Sequence, residues 1–313
     1  MWIETSTPVI FLTFNRPDLT QLVFNAIAMA RPKRLYVVSD GARPHVAGEA
    51  ERVAETRAII DQVSWPCDVL TDFAESNLGC YQRITSGLRW AFQQAEEAIV
   101  LEDDCLPDPS FFTYCDRLLD QYRDESKVGN ICGCNFQKGH SRTSSSYYFS
   151  KYFHCWGWAT WRSTWEKFDA NVRQPSLLTA DDLVSPWDTA AEKKYWHSIF
   201  RDHFSGKNSS WDFLWLYTCW QHDLLSVTPD VNLVSNIGFR ADATRTSCST
   251  NPLANLPRLP MPEVLRHPAA ITRMCEADAF DFEHNFGGPR GMRRWWSRVE
   301  KLRRMVGSRR RVA

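Results

Sequence analysis

Glu102, Asp103 and Asp104 stand side by side directly after the apolar run 98–101, Ala-Ile-Val-Leu. Adjacent carboxylates repel one another, and a fold that gathers them at a strand end offsets the cost with a cation. Hard divalent ions such as Mg2+ or Mn2+ take carboxylate oxygens and bridge them to substrate phosphates. Ligands of open α/β sheets bind beyond the carboxyl ends of the strands, so position and chemistry agree on a metal–diphosphate site. A solvated acidic loop is the plainer reading of such a run. Against it stands the stretch 106–112, Leu-Pro-Asp-Pro-Ser-Phe-Phe, which reads as a turn capping a helix, with Asp108 as N-cap and Pro109 in the first helical position. A second acid, Asp212, is isolated among Trp211, Phe213 and Trp215. That setting suits either a helix cap or a general base. Sugar transfer from a nucleotide diphosphate uses both groups, a cation on the leaving diphosphate and a carboxylate that takes the acceptor hydroxyl's proton.

The elements that would position these groups alternate along the first 105 residues. Strands are expected at 9–14, 34–39, 67–71 and 98–101, and helices at 18–30, 49–63 and 81–95, each with apolar residues on one face. The alternation implies a mainly parallel sheet covered on both faces. Its strands end in polar clusters: Asn15-Arg16, Ser39-Asp40 and the acid triplet. Further on, 147–165 holds four Trp and 187–220 five more, which read equally as core packing or as platforms for pyranose rings.

The 313 residues, 24% charged and 43% hydrophobic, describe an ordinary globular chain with length for a substantial core. The net charge of zero hides an asymmetry, since the stretch 289–313 holds ten Arg or Lys against one Glu. The body is therefore mildly acidic and has no nucleic-acid footprint. Within the tail, Trp295, Val299, Leu302 and Val306 recur at helical spacing among basic residues. Such a segment reads as an interfacial helix on an anionic membrane or as a solubilising tail. The ten Cys form no C-x-x-C pair and no zinc-ligand spacing. With no signal peptide and no long apolar run, a reducing cytoplasm is expected, possible attachment being peripheral.

In order, these motifs resemble those of the GT-A-type glycosyltransferases of the nucleotide-diphospho-sugar transferase superfamily, in particular N-acetylglucosaminyltransferase I and bacterial proteins of similar pattern. The carriers are Val100-Leu101-Glu102-Asp103-Asp104 followed by Pro109-Ser110-Phe111-Phe112, the opening 8–16, Ser39-Asp40-Gly41, and the helix 81–91 with Arg89-Trp90-Ala91. The resemblance spans roughly 7–246. It implies an α/β fold with a GT-A-like Rossmann-type sheet, mainly parallel and flanked by helices, and an aromatic-rich acceptor side. It further implies Asp104 as metal ligand, Glu102 and Asp103 against the donor's sugar and ribose, Arg16 by the nucleotide, and Asp40 reading a uracil ring. Gly157, Trp158 and Trp211 would form the acceptor side, and Asp212 would be the base, although Phe213 stands where the family has a second Asp. Arg245 would meet the diphosphate. The implied activity is metal-dependent, inverting transfer from a UDP-sugar to a glycan or surface polysaccharide. Mn2+ or Mg2+ would be the cofactor. The division would be a domain 1–246 with halves 7–105 and 106–246, a Pro-containing wrapping segment 247–288, and the tail 289–313. A silent sugar- or nucleotide-binding module is the alternative, and a nucleotidyltransferase a weaker one, since no Gly-rich phosphate loop with a following Lys is present.

Overall fold

A computed structural model of the chain describes residues 4–168, 187–207, 210–241, 243 and 250–287. Its first part alternates β1 (Val9–Thr13), α1 (Pro17–Ala30), β2 (Arg34–Ser39), α2 (Glu49–Ala58), β3 (Asp68–Phe73), α3 (Cys80–Phe92) and β4 (Glu97–Glu102). There follow β5 (Cys105–Pro107), α4 (Ser110–Gln121), β6 (Val128–Cys132), β7 (Tyr147–Ser150), β8 (Trp158–Trp161) and α5 (Arg162–Trp165). The last elements are α6 (Ala190–Phe204), α7 (Trp211–Gln221), β9 (Leu225–Pro229), β10 (Val234–Asn236) and α8 (Cys275–Asn285).

Eight strands form one sheet in the order β3-β2-β1-β4-β8-β6-β9-β7. The pairs β2–β3, β1–β2, β1–β4 and β6–β9 are parallel, while β8 and β7 run against their neighbours. The sheet is thus mainly parallel and flanked by helices, as the alternation implies. Side chains of β1 divide between two cores by parity: Val9 and Phe11 enter one with α1 and α4, Ile10 and Leu12 the other with α3 and α7. Burial on both faces explains why these strands read as continuous apolar runs.

The differences from sequence expectation are local. Helix 49–63 changes at Ile59 to a 3-10 turn, β3 runs two residues further than expected, and α3 ends at Phe92. Pro109, rather than Asp108, occupies the N-cap position of α4. Asp108 still serves the helix start, since its Oδ1 accepts from Ser110 N at 2.9 Å.

The Trp-rich stretches resolve largely into core. Trp158, Trp196 and Trp215 are fully buried. Trp158 stacks on Trp211 with centroids 5.9 Å apart, and Trp165 lies 4.9 Å from Trp215. Helix α7 is apolar on nearly every side and buried accordingly. Two of its indole nitrogens find partners, Trp215 Nε1 donating to Asn130 Oδ1 at 2.9 Å and Trp220 Nε1 to Lys151 O at 2.7 Å. Buried charge fastens the far edge: Lys151 Nζ meets Glu192 of α6 at 2.7 Å, and Ser150 Oγ donates to Asp278 of α8 at 2.5 Å.

The chain from 250 to 274 runs over the β5–β10 ribbon and the start of α4. Asn255 N donates to Asn236 O at 3.0 Å, and Met261 N to Ser110 Oγ at 2.8 Å. The nine described cysteines are free thiols. No helix among the described residues is long and apolar enough to cross a membrane. Arg245 and the basic tail lie outside the described residues.

Truncation of a buried indole leaves a cavity that the sheet and α7 only partly close. Trp158→Ala is expected to lower unfolding free energy by about 3–5 kcal/mol in urea titrations. Trp156→Ala, at a half-buried side chain, is expected to cost clearly less.

Candidate active site

Neighbouring strands in parallel register place the site. Leu12 of β1 lies opposite Glu102 of β4, so the residues that follow β1 come to rest beside the acid triplet. Arg16 there forms ion pairs with Asp103 and, at 3.0 Å, with Asp104. Phe14 N donates to Asp103 Oδ2 at 3.2 Å. Burial alone would lower the pKa of the Arg16 guanidinium, but the charges of Asp103 and Asp104 outweigh it and raise it above its ordinary value.

Beyond the triplet, β5 pairs antiparallel with β10, Cys105 opposite Asn236. This brings Asn236 Nδ2 to 3.5 Å from Asp104 Oδ1 and lets Ile237 N donate to Asp104 O at 2.8 Å. A Cβ at Gly238 would lie 2.1 Å from Asp104 Oδ2, so only glycine lets the backbone close against that carboxylate. Asp212 arrives from the first turn of α7, with its Oδ1 accepting from Ser210 Oγ at 2.6 Å.

These groups line one cleft of about 370 Å³, together with Asp40, Arg43, Asn77, Arg83, Cys155 and Trp156. The cleft concentrates negative charge. Burial, reinforced by Asp104, Asp103 and Asp212, pushes the Glu102 carboxyl up to about 8. Burial pushes Asp103 up to about 6 although Arg16 opposes it. Burial likewise raises the Cys155 thiol well above its usual range, which leaves it unreactive. The triplet and Asp212 gather four acidic side chains, of which Arg16 is paired with two, while Arg43 and Arg83 are paired with Glu49 and Asp72; such a hard-oxygen cluster suits a divalent cation. No group of three or more His, Cys, Asp or Glu among the described residues is arranged to hold a metal ion by itself. An ion held by one or two carboxylates and completed by phosphates and water needs no such group.

The site residues expected from sequence meet unequally. Arg16, Asp40, Glu102, Asp103, Asp104, Trp211 and Asp212 all line the cleft. Asp40 does so with its acceptors engaged: Oδ1 takes Gly41 N and Leu78 N at 2.9 and 2.8 Å, Oδ2 takes Asn77 Nδ2 and Gly79 N at 3.0 Å each. A carboxylate has about four acceptor positions, and the chain itself supplies four donors to Asp40. Gly157 and Trp158 are not among the lining residues. Gly157 has φ +67°, and a Cβ there would meet Val234 at 2.7 Å, so a larger residue does not fit the position. Trp158 points into the core, and Trp156, two positions earlier, reaches the cleft instead. Sequence reasoning also missed Arg43, Asn77 and Arg83, which sit in loops or on a helix face with no local motif.

No family model and no curated protein matches the chain. Among solved structures it is similar to galactosyltransferase LgtC in complex with donor and acceptor sugar analogs, at 10% identity and TM-score 0.37 over 70% of this chain and 72% of that one. An active-site mutant of LgtC gives TM-score 0.40 at 10% identity over 86% and 94%. A cytidylyltransferase from Leptospira borgpetersenii serovar Hardjo-bovis gives 0.33 at 12% identity over 55% and 67%. Sequence and superposition both diverge too far at this level to assign an activity.

The loop between β2 and α2 is fixed to the cleft by Glu49, which accepts from Arg43 N at 2.7 Å, Arg43 Nε at 2.9 Å and Asn15 Nδ2 at 2.8 Å. Hydrogen bonding to Arg43 holds the Glu49 carboxyl down at about 2, below its ordinary 4.5. A depressed carboxyl contributes stability that is fully present above the unfolded value and disappears as pH falls toward the folded one. The melting temperature is therefore expected to drop between about pH 5 and pH 2, and Glu49→Gln to start lower at neutral pH and fall less over that window.

Proposed function

We propose that the protein transfers a sugar from a nucleotide-diphosphate donor, a UDP-sugar, to a hydroxyl of a glycan or surface-polysaccharide acceptor, with inversion and with Mn2+ or Mg2+. One observation carries the reading: the triplet at the end of β4 and Asp212 from α7 share one cleft, where Arg16 is paired with the triplet and the other two lining arginines are paired with Glu49 and Asp72. The bound ion would neutralise charge developing on the departing diphosphate. Asp104, with Asn236 and Gly238 fixing its orientation, would hold it, joined by a neighbouring acid of the triplet.

The protein's own groups supply positioning and proton transfer. Arg16 holds Asp103 and Asp104 in place while no anion competes for it, and its guanidinium can turn to phosphate oxygens when one does. Asp212 keeps one oxygen on Ser210 and has the other for the acceptor proton. Trp156, half-buried at the cleft, offers aromatic surface for a sugar face, while Trp211 lines the wall with its ring buried against Trp158. For Asp40 to read a uracil ring, one of its four donors has to give way. Arg245 is proposed to close on the diphosphate. The tail 289–313 would bring a cytoplasmic enzyme to an anionic membrane surface where the acceptor is assembled.

A ligand that binds only the folded state raises the melting temperature by mass action. UDP with Mn2+ is expected to raise it, UDP alone much less, and Asp104→Ala to abolish the metal-dependent part. Asp212→Asn is expected to keep the shift and lose about 100- to 10,000-fold in turnover, measured as UDP release with acceptor present. Full turnover in Asp212→Asn removes it as base, and pyrophosphate as product points to nucleotidyl transfer. Binding without turnover across donors and acceptors identifies a binding module.

A further inference from the structure

Three arginines line the cleft, and they differ in what remains open on them. Arg16 is committed to Asp103 and Asp104. Arg83 is paired with Asp72, and its side chain is 7% exposed. The Arg43 side chain is 38% exposed, and the carboxylate that holds it is fully buried. Glu49 engages the Nε and Nη2 edge of that guanidinium, and Nη1 makes no hydrogen bond among the described residues. The cation also lies over the Phe14 ring, Cζ 5.5 Å from its centroid. Phe14 in turn is bound through its backbone to Asp103. Arg43 therefore stands one side chain away from the acid cluster, fixed from two sides, with one edge open to the cleft.

We propose that Arg43 is an anion clamp that binds a phosphate of the donor through this open edge. The inference rests on the nucleotide-diphosphate reading above and adds to it a residue that no motif marks. The chemistry is specific to arginine. A guanidinium has five N–H donors in a rigid fork, so it can give one edge to Glu49 and keep another for phosphate oxygens, which a lysine ammonium cannot do in the same geometry. Holding the fork in advance lowers the ordering cost at binding. The division of labour also follows: the acids supply the cation-binding side of a diphosphate, and Arg43 supplies direct hydrogen bonds to its oxygens. Glu49 and Asn15 then act as positioning residues, because they hold the loop that carries Arg43.

Calorimetric titration of the full chain with Mn2+–UDP and with Mn2+–pyrophosphate tests this, on wild type, Arg43→Lys, Arg43→Met and Asp104→Ala. Arg43→Lys keeps a charge for Glu49 and is expected to retain the wild-type melting temperature without ligand within a few degrees. It is expected to weaken both ligands about tenfold or more, with Arg43→Met at least as weak. Wild-type affinity of Arg43→Lys for Mn2+–UDP, alongside loss in Asp104→Ala, overturns the clamp and leaves the donor reading standing. A loss confined to UDP, with pyrophosphate unaffected, also overturns it by moving Arg43 to the nucleoside. A wild-type protein that binds no nucleoside diphosphate with Mn2+ overturns both.

Discussion

Like-charge crowding at the end of β4 is the constraint around which the molecule is arranged. Glu102, Asp103 and Asp104 leave a buried strand together, and Asp212 adds a fourth carboxylate in the same cleft. Burial and mutual repulsion hold Glu102 and Asp103 above their ordinary acidity range. A fold keeps such a cluster only if other contacts hold the backbone around it, because the charges by themselves favour dispersal. Here the holding is done by two apolar layers, one on each face of the sheet, and by an arginine delivered from the adjacent strand.

The supports are built in pairs across long sequence distances. β10 lies against β5 and presents Asn236 and the glycine backbone of Gly238 to Asp104. The segment 250–274 then covers that ribbon with hydrogen bonds to Asn236 and Ser110. On the opposite side, the aromatic packing of Trp158, Trp165, Trp211 and Trp215 fixes the first turn of α7, and with it Asp212. The density of tryptophan is thus a mechanical feature first. Flat rigid side chains fill the space between α7 and the sheet with little rotamer freedom to lose.

Much of the fold was legible because the early strands carry strong local signals. Apolar runs of four residues in β1, β2 and β4, alternating with amphipathic helices and ending in polar clusters, state a parallel sheet and where its ligand-facing edge lies. The acid triplet was legible for the same reason, since it stands between a strand-like apolar run and a capped helix start, a setting that a solvated acidic loop lacks. Trp158 shows where this reasoning stops. A Gly-Trp pair has no intrinsic direction, and which face the indole takes depends on the pairing of β8 with β4 and β6. Asp40 shows a second limit, because its role turns on four donors, three of which come from 77–79, across the turn after β3.

By itself, then, the chain's sequence determined the α/β alternation, the strand ends, and the carboxylates that crowd one of them. These are local properties, set by side-chain period and by residue type at adjacent positions. Only the tertiary structure decided which groups meet: Arg16 with Asp103 and Asp104, Asn236 with Asp104, Asp212 with the triplet, and Arg43 with the buried Glu49. The physical reason is the same in each case. A charged side chain has several satisfactory partners within reach of an extended chain, and strand register together with the placement of helices and loops chooses among them.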